Sequence, residues 1–336
     1  MNALATQQKI LIVHQGAVGD LILSLPSLYA LRCAFPGHHV EVMGYPAILS
    51  LIHKRFYADA ISSIDRASVA ALYREQPAAG SEICSYLQQF EQIFIFGGPS
   101  QSCFVGNIRH ISGAAVYHIA VFPESEEHVT DFQLKNLEAI GLAANNRIPK
   151  IFLLPADHKS ARDFLRSREI APGRTPLAAI HPGSGGKKKL WPPEHVISLV
   201  TRLYERFKGG ILIIEGPADR EIVGSIIEDL SSVPYTLISS SSLPLLAGII
   251  QASCVYVGND SGITHLAAAL GLPALGVFGP TEPAIWGPRG PRVRILRNED
   301  QKGQWTWPSP DTVFCETCAL LGRQHHRAAL PEPDKQ

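Results

Sequence analysis

Asp20 follows Gln15-Gly16-Ala17-Val18-Gly19 at the end of the apolar run Lys9–His14. A carboxylate behind two glycines at the end of a buried strand suits two tasks. It can accept a proton from a hydroxyl that is about to attack an electrophile, or it can cap the helix that follows. Much further along, Pro182-Gly183-Ser184-Gly185-Gly186-Lys187-Lys188-Lys189 follows the apolar run 178–181. Glycines let backbone N–H groups come close to a phosphate, and ammonium groups neutralise it. The spacing is not that of a P-loop. A third cluster, Asn259-Asp260-Ser261-Gly262-Ile263-Thr264-His265, lies behind the run 254–258. It reads as a strand-to-helix turn, with Ser261 or Asp260 as the cap and the N–H groups of Gly262, Ile263 and Thr264 open to an anion. Glu215-Gly216-Pro217-Ala218-Asp219 behind strand 211–214 predicts a further loop on that edge, and Gly97 closes strand 93–96 in the first half. In open α/β folds ligands bind at the carboxyl edge of the strands, so these clusters belong to two such edges.

The elements that hold the clusters follow from the pattern. Short apolar, β-branched runs at 9–14, 40–43, 93–96, 178–181, 211–214, 254–258 and 274–278 read as buried parallel strands. Helical patterns occupy 21–35, 130–141, 157–168, 196–207, 243–252 and 263–270, and Pro26 inside the first predicts a kink or a start near Ser24. Each half opens with a strand and a glycine-rich loop. With 336 residues, the chain is long enough for two cores, and the boundary is placed at 165/166. After Gly290 one more strand is expected at 292–296, then an irregular tail containing Trp305, Trp307 and Cys315-Glu-Thr-Cys318.

Composition narrows the function classes. Lys plus Arg and Asp plus Glu each total 30, so strong attraction to nucleic acid is not expected. No apolar run approaches the roughly 20 residues of a membrane span, and the N-terminus lacks a signal-peptide core, which predicts a cytoplasmic protein. Six cysteines, at 33, 84, 103, 254, 315 and 318, read as reduced thiols. Cys315 and Cys318 lack two further well-spaced ligands, and His110, His118 and His128 are expected on loops, so no metal site is predicted.

The stretch from Asp260 to Pro283 resembles the donor-site signature of glycosyltransferase family nine, the lipopolysaccharide heptosyltransferases. That signature is Asp-Thr/Ser-Gly-x-x-His-x-Ala-Ala with a following Pro, then Phe/Tyr-Gly-Pro-Thr-x-Pro. It is matched here by Asp260, Ser261, Gly262, His265, Ala267, Ala268, Pro273, Phe278, Gly279, Pro280, Thr281 and Pro283. The resemblance extends to Gly16, Gly19, Asp20 and Pro26, to Lys189, Trp191, Pro192 and Glu194, and to Gly216, Pro217 and Asp219. His14 departs from it, because many members carry Arg there. The resemblance implies an α/β chain of the GT-B kind, with two facing Rossmann-like domains, parallel sheets and a cleft between them. Residues 1–165 would bind the acceptor and 166–336 the nucleotide-sugar donor. It implies inverting transfer of a heptose or related sugar from an ADP-sugar to a lipid-anchored oligosaccharide of lipopolysaccharide, with Asp20 as base and Lys189 on the donor phosphate. Gly183, Ser184, Glu215, Gly216, Asp260, Ser261, Gly262, Ile263, Thr264 and His265 would complete the donor site. Gly16, Gly19 and Gly97 would line the acceptor side. Neither metal nor other cofactor is implied; peripheral contact with the inner face of the cytoplasmic membrane is. A nucleotide-sugar epimerase on the same scaffold, or a catalytically silent binder, is the alternative.

Overall fold

The computed structural model describes residues 7–74, 81–143, 145–171, 173, 176–230, 232–239 and 241–325. The breaker read at 77–80, parts of the linker end at 171–176 and the tail beyond 325 lie outside them. The chain divides into two units: Met1–Leu154 with Ala284–Trp286, and Pro155–Pro283 with Gly287–Gln336.

The first unit is built on β1 (Lys9–His14), α1 (Val18–Ala34), β2 (His39–Gly44), α2 (Pro46–Leu49), β3 (Ala60–Ser63), α3 (Ala67–Ala70), α4 (Ser81–Leu87), β4 (Gln92–Gly97), α5 (Ser102–Ser112), β5 (Ala115–Ala120) and α6 (Val129–Glu138). Its five strands are all parallel, in the order β3-β2-β1-β4-β5. Apolar residues on both faces of β1 and β4 explain why the runs are continuous rather than alternating. Leu11, Val13, Ile93 and Ile95 pack with Phe104, Val105 and Ile108 of α5. Each such side chain contributes about 1.5–3 kcal/mol by leaving water.

Three expectations are corrected here. α1 begins at Val18, not Leu21, and runs unbroken through Pro26; Ser24 is interior, so no helix starts there. Pro26 lacks an N–H and simply leaves the Ile22 carbonyl without its intrahelical donor. His110 and His118 are not on loops but on α5 and β5, and His128 caps α6, its Nδ1 accepting the Thr130 N–H at 3.2 Å.

The second unit contains α7 (Pro155–Ser167), β6 (Leu177–His181), α8 (Pro193–Phe207), β7 (Gly210–Glu215), α9 (Arg220–Asp229), β8 (Tyr235–Ser239), α10 (Leu243–Gln251), β9 (Val255–Asn259), α11 (Gly262–Ala269), β10 (Ala274–Val277), then, after the short α12 (Pro283–Trp286) whose last three residues count with the first unit, β11 (Val293–Leu296), the strand pair β12 (Asn298–Glu299) and β13 (Trp305–Thr306), and α13 (Pro310–His325). Its parallel sheet has the order β11-β10-β9-β6-β7-β8.

α7 belongs to this unit because it packs on α10, where Gly248 leaves room for Ala161. The division therefore falls ahead of the boundary placed at 165/166. The tail read as irregular is a 16-residue helix. Val313 and Leu320 of α13 sit in the same core as Val196, Leu199 and Leu203 of α8, and Trp191 Nε1–H donates to the Pro308 carbonyl at 3.0 Å. Cys315 and Cys318 thus ride on a packed helix as free thiols. Among the described residues no three His, Cys, Asp or Glu side chains gather as a metal site, and no helix is long and apolar enough to cross a membrane.

Candidate active site

In each sheet the strand order reverses once, and a doubly wound sheet opens a crevice at that point. The reversals fall between β1 and β4 in the first unit and between β6 and β9 in the second. Most of the predicted residues follow the carboxyl ends of these strands, and Glu215 and Gly216 follow the neighbouring β7.

At β1 and β4, Asp20 occupies the third position of α1, not the cap. Its Oδ2 accepts the Ala17 N–H at 2.9 Å. This is half of a capping box: Ala17 has no side-chain oxygen to return the bond. Gly16 is glycine for want of space. A Cβ there would lie 2.4 Å from the Asp20 Cβ and 2.9 Å from His14 Cε1. Gly19 is helical, next to Asp20.

His14 is enclosed and threads the turn together. Its Nδ1 accepts the Gly16 N–H at 3.3 Å, its Nε2–H donates to Ser24 Oγ at 3.1 Å, and the Ser24 hydroxyl donates to the Asp20 carbonyl at 2.8 Å. Those roles fix the neutral Nε2–H form. Burial lowers the imidazole from 6.5 to about 4, against the smaller opposing effect of nearby backbone groups. At this turn the chain therefore holds a neutral ring.

Gly97 makes room for Gln101, whose Oε1 would lie 1.7 Å from a Cβ there. Together His14, Asp20, Ser24, Gly97, Gln101 and Gln133 border a cavity of about 450 Å³ in the first unit.

At β6 and β9 the polar groups hold one another. His181, at the end of β6, donates from Nε2 to Asp219 Oδ2 at 3.0 Å and meets Ser261 Oγ at 3.1 Å through Nδ1. Asp219 Oδ2 also accepts the Gly216 N–H at 2.9 Å. Burial pushes the Asp219 carboxyl up, but bonds from His181 and from the Gly216 and Ser184 N–H groups outweigh it and hold the group below its ordinary value. Gly183 has no Cβ because one would sit 2.0 Å from the Asp219 carboxylate carbon.

A carboxylate, an imidazole and a serine in this order activate nucleophiles in hydrolases. Here Ser261 is committed elsewhere. It caps α11, accepting the Thr264 N–H at 3.4 Å. The chain Asp219–His181–Ser261 therefore aligns a helix N-terminus rather than arming an attack.

Asn259 ties the neighbouring loop down: its Nδ2 donates to the Pro182 carbonyl at 2.6 Å and its Oδ1 accepts the Trp191 N–H at 3.3 Å. Ser184 Oγ donates to the Asp260 carbonyl at 2.7 Å. Lys189 Nζ lies 2.7 Å from Asp260 Oδ2, an ion pair with a carboxylate that is only 7% exposed. Thr264 is a brace, its hydroxyl bonded to the Asn259 carbonyl and to Tyr256, and His265 is buried in the helix. Since Ser261 already engages the Thr264 amide, the first-turn N–H groups left to an anion are those of Gly262 and Ile263. Glu215 ends β7 and Gly216 follows it. Ser184, Gly185, Gly186, Lys187 and Asp219 border a second cavity of about 450 Å³.

Sequence reasoning did not single out His181, Ser24, Asn259 or the glutamines. His181 stood in plain view as the last residue of its strand, and Asp219 was read only as part of a Gly-Pro-x-Asp pattern.

The model of glycosyltransferase family 9 (heptosyltransferase) matches residues 104–306. Lipopolysaccharide heptosyltransferase 2 of Salmonella typhimurium is 31% identical over 312 residues, covering 86% of this chain and 88% of that one. Lipooligosaccharide heptosyltransferase 2 of Haemophilus influenzae is 28% identical over 313 residues, with the same shares. Among solved structures, the E. coli ADP-heptose lps heptosyltransferase II superposes with a TM-score of 0.75 at 18% identity, covering 95% of this chain and all of that one.

Proposed function

From the premise that this chain belongs to glycosyltransferase family 9, the heptosyltransferase family, and is therefore a glycosyltransferase, we propose the partition of labour between its two units. The second unit binds a nucleoside-diphosphate heptose, and the first binds the acceptor hydroxyl of a lipopolysaccharide core oligosaccharide. The observation that carries this is the placing of Lys189 beside Asp260, at the first turn of a helix whose cap is oriented by His181 and Asp219. A departing diphosphate needs positive charge fixed in advance, and this corner offers an ammonium group, two amide donors and the positive end of α11. Relatives named for ADP-heptose point to ADP as the nucleotide.

Asp20 is the base. It takes the acceptor proton as the hydroxyl oxygen attacks the anomeric carbon. The bond from that carbon to the diphosphate breaks, its electron pair leaves with the phosphate oxygen, and Lys189 with the Gly262 and Ile263 amides neutralises the new charge. One displacement, with no enzyme nucleophile, inverts the anomeric centre. The scheme assigns the metal's usual task, neutralising the diphosphate, to Lys189 and the helix terminus. A lipid-anchored acceptor would bring the chain to the membrane face as a peripheral visitor.

The test is incubation of the full chain with ADP-heptose and a core-oligosaccharide acceptor, following ADP release and the anomeric configuration of the product by NMR. Equimolar ADP and glycoside with inverted configuration is the expected result. A product of retained configuration would contradict the role given to Asp20.

A further inference from the structure

Three glutamines border the cavity at β1 and β4, and each has a buried amide atom with no hydrogen-bond partner among the described residues: Gln15 Nε2, Gln101 Oε1 and Gln133 Oε1. Gln133 is the extreme case, 1% exposed. Its helix is pinned one turn earlier, where the Thr130 hydroxyl donates to the Leu23 carbonyl of α1 at 2.8 Å. Gln15 is likewise positioned, its Oε1 accepting from Tyr73 Oη at 2.8 Å. A buried polar atom without a partner is costly and calls for an explanation. Three such amides around one cavity share a simple one, a ligand that supplies the missing partners.

The chemistry of that ligand is narrow. Amides offer donors and acceptors without charge, which suits hydroxyl groups. Among the described residues, those bordering the cavity include Asp20 but no lysine or arginine, and His14 is held neutral. An anionic group seated here would meet a carboxylate with no cation to offset it. Phe96 and Phe122, which also border the cavity, give apolar surface for the carbon face of a sugar ring.

We infer that Gln15, Gln101 and Gln133 are specificity-determining residues for the acceptor, and that the sugar seated beside Asp20 is a neutral polyol such as a heptose or hexose, not an acidic sugar. This rests on the reading of the first unit as the acceptor side.

The test is saturation-transfer NMR and titration on the full chain with two probes, a methyl heptoside and the methyl glycoside of a 3-deoxy-ulosonic acid. ADP-heptose affinity is measured on the same sample. The heptoside should bind at least about 10-fold tighter than the ulosonate. Gln133→Leu, similar in volume, should weaken the heptoside about 10-fold while thermal stability and ADP-heptose affinity hold. In turnover the same variant should raise the acceptor KM and spare kcat. Equal or tighter binding of the ulosonate overturns the inference. So does unchanged heptoside affinity in Gln133→Leu, the outcome expected if water alone satisfies the amide. Should Gln133→Leu fail to fold, Gln101→Leu decides by the same criteria. Failure to bind ADP-heptose would strike the transferase reading itself and leave the heptoside comparison standing.

Discussion

The two strand-order reversals solve opposite problems. At β6 and β9, Asp219, His181, Ser261, Asn259 and Ser184 bond to one another or to neighbouring backbone, so the corner is rigid before any ligand arrives. At β1 and β4 His14, Ser24 and Asp20 secure the backbone turn and Tyr73 holds Gln15, while three amides each keep one buried atom without a partner among the described residues. The difference teaches what each ligand demands. A diphosphate is the same in every donor and rewards a preorganised charge. An acceptor differs from enzyme to enzyme and must be read by groups kept available for it.

The contrast predicts effects of decreasing size. Asp20→Asn retains an acceptor for the Ala17 N–H but no base, so steady-state kinetics should show kcat reduced by about 10²–10⁴; a change confined to acceptor KM would demote Asp20 to a brace of the turn before α1. Lys189→Ala removes one charged hydrogen bond, worth about 1.5–3 kcal/mol. ADP-heptose affinity should fall roughly 10- to 100-fold, and melting temperature should drop as well, because Asp260 is left buried without its partner.

His14 sharpens the comparison through pH. The folded chain holds it neutral down to about pH 4, whereas the unfolded chain protonates near 6.5. Below 6.5 the unfolded state gains a proton that the folded state refuses, so stability present at neutral pH is lost across that window. Between pH 7 and pH 5 the wild type should lose about 2 kcal/mol more than His14→Asn in urea unfolding. Equal losses would mean that the ring titrates normally. The smallest effect is chelation: EDTA should leave donor affinity and turnover unchanged. A loss restored by a divalent cation would show that Lys189 and α11 do not suffice.

Much of this was legible in the chain. Strands buried on both faces announced themselves as apolar runs, and Asp20, Lys189 and Asp260 to Thr264 all stand at the two reversals. What escaped has physical reasons. The start of α1 at Val18 was hidden because an alanine, not a polar residue, precedes it, so no cap residue marked the spot. β5 mixes Tyr117 and His118 into a half-exposed strand, which hides its period. α13 carries proline, cysteines and threonines, and is held by contacts with α8 and by the Trp191 bond to Pro308 rather than by its own propensity. His181 acquires its role from Asp219 and Ser261, 38 and 80 residues away, and the open amides from a cavity that no local pattern describes.

The most direct test of the division between the two corners is calorimetric titration of ADP-heptose, with UDP-glucose as comparison, into the wild type, Asp20→Asn and Lys189→Ala. Binding of the ADP sugar alone, weakened by Lys189→Ala and untouched by Asp20→Asn, is the predicted result. Equal weakening by both substitutions, or preference for the UDP sugar, would contradict it.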